Sequence, residues 1–147
     1  MGYLHTAAIV LHIAFAAAWF GLAIGLSILS KEAVQAESRG AAIAAISLAN
    51  SMTASAVLFV LAAVANLGLG IAISGSAAYG WPYHAAFALG VGLLAVQIAM
   101  VRPATQTMRA NLGTPVGRSA RTRLGLSLGL GQAAWFGMLL LMYATRA

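Results

Sequence analysis

No charged residue precedes Lys31, and after Arg39 none follows until Arg102. Uncharged apolar runs of this length suit the roughly 20 residues that an α-helix needs to cross a bilayer. Of the 147 residues, 62% are hydrophobic and 7% charged. A soluble domain carries about 25% charged residues, so this chain cannot cover itself with a polar surface. A water-soluble enzyme, a disordered segment and a coiled coil are excluded. The expected fold is all-α: a single integral membrane domain over residues 1–147, built as a four-helix transmembrane bundle.

The expected spans are residues 3–29, 54–73, 83–101 and 124–143. The first run is too long for a signal peptide and is read as retained. The second apolar stretch begins near Ala41 and exceeds one bilayer. Its first part, with Ser47, Asn50, Ser51 and Thr53, is expected to be a helical extension outside the hydrocarbon. Pro82 suits the first turn of the third span. Residues 102–123, with Pro103, Gly113, Pro115 and Gly117, read as a basic cytoplasmic loop.

Seven of the eight Lys and Arg residues fall in the first and third connections: Lys31, Arg39, Arg102, Arg109, Arg118, Arg121 and Arg123. Only Arg146 lies elsewhere. The positive-inside bias then puts both termini on the outer, periplasmic side of a bacterial inner membrane, in a multi-pass chain. The net charge of +6 is topological and does not point to nucleic acid. The basic loop is a contact for anionic lipid. Tyr3, Tyr79, Trp81, Tyr83 and Tyr143 fall at the outer ends of spans, as an interfacial aromatic belt does.

Cysteine is absent, which removes disulfides, iron–sulfur clusters and covalent c-type haem. The only acids are Glu32 and Glu37, so carboxylate metal sites and intramembrane proton relays have no residues to build them. Histidine is what remains. His5, His12 and Trp19 are spaced seven apart and share one helix face. A histidine inside a span is costly and needs a partner. For His12 that partner is either a packing hydrogen bond, with Asn66 or Gln132, or a metal or haem. His84, at the outer start of the third span, lies within about one helical turn of the depth of His5 and of His12. Two imidazoles facing each other across a bundle suit haem iron or copper.

Met138 and Met142, at i and i+4, could join a copper site or fill gaps in the packing. Gln132, Trp135 and Leu139 form a stripe on the fourth span. Gly21-x-x-x-Gly25 and Gly125-x-x-x-Gly129 suggest that the first and last helices cross there, or that one faces a partner chain. Ala17-Ala18-Trp19-Phe20-Gly21 echoes Ala133-Ala134-Trp135-Phe136-Gly137, which would set two Trp rings around a common cavity.

His12-x6-Trp19-Phe20-Gly21-Leu22 resembles the first span of the HemJ-type protoporphyrinogen oxidases and of CopD-like four-span membrane proteins. Gly80-Trp81-Pro82-Tyr83-His84 resembles that group's entry into its third span. The resemblance implies haem b held by His12 with a third-span ligand. Where HemJ proteins carry a Lys past the Trp, Ala85 stands here, and His84 is the nearest candidate. The implied cofactor-binding set is His12, His84, His5, Trp19, Gln132 and Trp135, with His12 and His84 on the iron. The haem propionates would point outward, toward Tyr79, Tyr83 and Arg146. The function so implied is a haem b-binding membrane redox protein, an oxidoreductase or electron-transfer component. The alternatives are a cofactor-free accessory subunit of a larger membrane complex and a copper-handling domain. A homo-oligomer or a place in such a complex is expected in each case.

Overall fold

The computed structural model describes residues 2–76 and 79–144, and the side chains of 142–144 lie outside the described set. It is helical throughout: α1 (Gly2–Gln35), α2 (Arg39–Ser74), α3 (Trp81–Val96), a π-helical turn (Gln97–Val101), α4 (Arg102–Ala110) and α5 (Pro115–Ala144). Among the described residues, four units are long and apolar enough to cross a membrane: α1, α2, the continuous Trp81–Ala110 stretch, and α5 from Pro115 to Leu141.

The connections are short because the residues at each end stop one helix and start the next. Ser38 accepts a hydrogen bond from the Ala41 amide at 3.2 Å and so caps α2. Gly75, at φ +80°, closes α2 in a conformation open to glycine, its amide donating to the Ile71 carbonyl at 2.8 Å. Pro82 occupies the first turn of α3, as expected.

The basic connection is a helix–turn–helix, which corrects the expected loop over residues 102–123. Only residues 111–114 turn, with Gly113 at φ +77°. Proline misled here because both prolines start helices: Pro103 lies in the first turn of α4 and Pro115 opens α5. Thr114 caps α5, its hydroxyl accepting from the Gly117 amide at 3.2 Å. A proline at 103 lacks an N–H, and its ring crowds the carbonyl four residues back. The chain widens at that point into the π turn, where the Arg102 amide reaches the Gln97 carbonyl.

α1 and α2 form an antiparallel hairpin, tied by the Ser55 hydroxyl donating to the Phe15 carbonyl at 2.9 Å. Ala23, Ala33, Ala42 and Ala45 are fully buried, and Leu26, Met52, Met108 and Leu124 pack among them. Methyl-sized side chains let these backbones approach closely, which is how helices associate where lipid removes the hydrophobic driving force. The expected helix crossing at the two GxxxG stretches is corrected. Gly21 and Gly129 have nothing within 4 Å of a built Cβ, Gly25 meets Leu48 of α2, and Gly125 meets only Arg121 of its own helix. α1 meets α5 at Gly131 instead, where an added Cβ would stand 2.9 Å from the Trp19 ring.

A buried polar group sits in mid-bundle. Gln97, 1% exposed, donates from Nε2 to the Ala49 carbonyl at 3.1 Å and to the Thr53 hydroxyl at 3.2 Å. Its Oε1 is sealed without a partner, as is Trp19 Nε1.

Candidate functional site

Between α1, α2 and α3, at the end of the bundle away from the arginines, lies a cavity of about 360 Å³. That is within the range of small-molecule sites. Its lining is mainly apolar, with five polar side chains facing in: His5 and His12 from α1, Asn66 from α2, Tyr79 from the turn, and Tyr83 from α3. The helical ones come from helix-period stripes. His5, Ile9 and His12 run up one face of α1, and Phe59, Ala63 and Asn66 up one face of α2.

Phe59, 8% exposed, is the floor. The His12 ring stacks on it, with centroids 4.5 Å apart and planes at 23°. Phe59 can lie there because Gly90 faces it from α3, where a Cβ would come to 3.0 Å from the Phe ring. His12 Nδ1 is sealed and makes no hydrogen bond of ordinary geometry, although the Phe59 backbone passes close by. Neither Asn66 nor Gln132 bonds it. His12 is half-buried and lines the cavity with its Nδ1 sealed.

Tyr79 and Tyr83, read from the sequence as interfacial anchors, turn inward to form the upper wall. Their rings meet edge to face at 5.1 Å. The Tyr79 hydroxyl occupies the space that a side chain at Gly70 would fill. Trp81 and Tyr3 stay outside, 72% and 95% exposed.

Of the residues proposed from sequence, His5 and His12 share the cavity. Trp19 and Trp135 line a small void of about 10 Å³ just beyond Phe59, so the echoed Trp pair does meet around a common space. His84 is exposed and does not line the cavity, and neither does Gln132. Met138 is buried behind Gly90, while the Met142 and Tyr143 side chains and all of Arg146 fall outside the described residues. Phe59 and Gly90 were not singled out. The i, i+4, i+7 stripe of Phe59, Ala63 and Asn66 was the available signal for the first.

The expected pairing of His12 with His84 on one iron is corrected, because His84 points away from this cavity. His12 supplies one imidazole, but the cavity walls bring no second histidine opposite it. His5 lies two turns further along the same helix. Among the described residues, no three His, Cys, Asp or Glu side chains come together to hold a bare metal ion. No protein-family model, curated protein or solved structure matches this chain.

Proposed function

We propose that this chain is a membrane-embedded redox protein that holds haem b in the α1–α2–α3 cavity, with His12 as the single protein ligand to the iron. The observation that carries the reading is the His12 imidazole. It stacks on Phe59, its sealed Nδ1 makes no hydrogen bond of ordinary geometry, and it lines a mainly apolar cavity. A histidine within a span is costly without a partner, and a neutral imidazole is a good iron ligand. When bound, haem supplies one-electron transfer. The chain's own residues do the rest. Ala63 and Ala86 would leave room for a flat ring, Phe59 and Phe87 would wall it off, and His5, Tyr79 and Asn66 would offer polar contacts at the mouth.

Visible spectra of protein expressed with haem supplied test this. A Soret band that His12→Ala abolishes and His84→Ala leaves unchanged is expected. Absence of the band, or its survival in His12→Ala, overturns the reading.

A second reading, an accessory subunit or homo-oligomer, draws support from Gly21 and Gly129. Both point outward with nothing packed on them, where a further chain could approach closely. Stoichiometric co-purification of a partner without pigment would favour it.

In either case the proposed setting is a bacterial inner membrane. The termini face outward and the arginines of residues 102–123 face the cytoplasm and its anionic lipid. A reporter after Ala147 should be external, and one inserted at Gly113 internal; the reverse pattern refutes the orientation.

A further inference from the structure

A second cavity, of about 440 Å³, lies at the basic end between the first turns of α2 and the end of α4. Arg39 and Arg109, from two different connections, both line it, with Gln106, Ile43, Ile46 and Ala110 forming the rest. No acid lines it. Neither guanidinium has an ion-pair or hydrogen-bond partner among the described residues. Of the two carboxylates, Glu37 is turned onto Gly113, and Glu32 lies exposed on α1. Two uncompensated cations from separate elements thus face one groove.

Depth specifies the occupant. From Trp81 to Arg102 the helix rises about 32 Å, close to the hydrocarbon thickness of a bilayer. Arg109 stands about 10 Å further on, in the headgroup layer. Gln97, within the stretch from Trp81 to Arg102, bonds Ala49 and Thr53, so α2 enters the hydrocarbon before the expected residue 54, and Ile43, 57% exposed, and half-buried Ile46 lead from Arg39 toward it. The groove therefore offers cations on the outside and bare aliphatic surface on the inside, the polarity order of an anionic phospholipid.

We propose that this groove holds one anionic phospholipid, its phosphate between Arg39 and Arg109 and an acyl chain along Ile43 and Ile46. This is a discrete site, distinct from the general attraction of the basic end for anionic lipid, and it does not depend on the haem reading. Inorganic phosphate, which has no acyl chain, would not use the aliphatic wall.

Native mass spectrometry of the full chain, exchanged into mixed phosphatidylglycerol and phosphatidylcholine, tests it. One retained phosphatidylglycerol is expected. Arg39→Gln and Arg109→Gln should each lower retention about fivefold, the usual effect of one basic residue at the membrane surface. Arg118→Gln, an exposed arginine on α5 that does not line the groove, should leave retention unchanged. Ile46→Glu should lower it with both arginines intact. An equal loss in Arg118→Gln means diffuse attraction and overturns the site, as does unchanged retention in the Arg39→Gln/Arg109→Gln double variant. Displacement of the lipid by millimolar inorganic phosphate would overturn the lipid as occupant. The three arginines are exposed, and an unchanged helical circular dichroism spectrum confirms that the variants are folded.

Discussion

Near the arginines, α1 and α2 lie against each other through Ala23, Ala33, Ala42 and Ala45, each wholly buried, with Leu26 sealed among them. Toward the opposite end the same two helices carry Ile9, Ile13 and Leu61 at 38%, 61% and 58% exposure, and a cavity opens beside them. Both halves are apolar, so hydrophobicity does not separate them. Side-chain size and rigidity do. In the basic half, one-carbon side chains let α1 and α2 touch and larger residues fill the seam between them, the groove there opening on the other side of α2, against α4. In the aromatic half, Phe59 and Tyr79 act as props held by Gly90 and Gly70, while Ala63 and Ala86 leave the space between them unfilled. In lipid no gain from leaving water closes such a space, because acyl chains are as apolar as the side chains.

The comparison is broken most severely by enlarging one alanine in each half. Ala45→Leu forces bulk into a fully packed contact and should cost about 1–3 kcal/mol. Ala63→Leu projects into open space and should cost less than about 1 kcal/mol while occluding the proposed haem site. Reversible unfolding in mixed micelles measures both. Equal costs would mean that the aromatic half is as tightly packed as the other.

Gly70→Ala sharpens the point within the aromatic half. The added methyl takes the place of the Tyr79 hydroxyl, so the ring must swing away and widen the mouth. Bundle stability should change by under about 1 kcal/mol, since Tyr79 is only half-buried. The change should be read as faster pigment loss or faster exchange of the amides around Tyr79. Unaltered exchange would show that the tyrosine is not a prop.

The smallest effect belongs where the halves meet. Ser55→Ala deletes the hydroxyl that bonds the Phe15 carbonyl. Interhelical bonds of this kind in membranes average about 0.6 kcal/mol, and a similar loss is expected by the same unfolding measurement. A loss of several kcal/mol would mean that α1 and α2 depend on this bond rather than on their alanines.

Helix identity was legible from residues alone. Runs without charge, Pro82 in a first turn and an uninterrupted apolar stretch past Ala41 each act locally, whatever the neighbours do. The basic segment was misread because a proline ends a helix or begins one, and only the turn at residues 111–114 decides which. The stripe of His5, His12 and Trp19 was also legible, being a matter of spacing along one helix. The relation of His12 to His84 was not. Rise per residue fixes the depth of a side chain but not the direction in which it points, and at similar depths His5 faces the cavity while His84 faces out. A soluble helix reveals its rotation through an amphipathic stripe. These helices are apolar nearly all round, so nothing in a single one says which side turns inward. The sequence by itself determined that four apolar helices form, since backbone hydrogen bonds in lipid must be met within each helix, but not where the third ends and the fourth begins. Only the tertiary structure decided which faces meet, because that choice rests on the fit of Gly90 to Phe59, Gly131 to Trp19 and Gly70 to Tyr79, contacts between residues far apart in the chain.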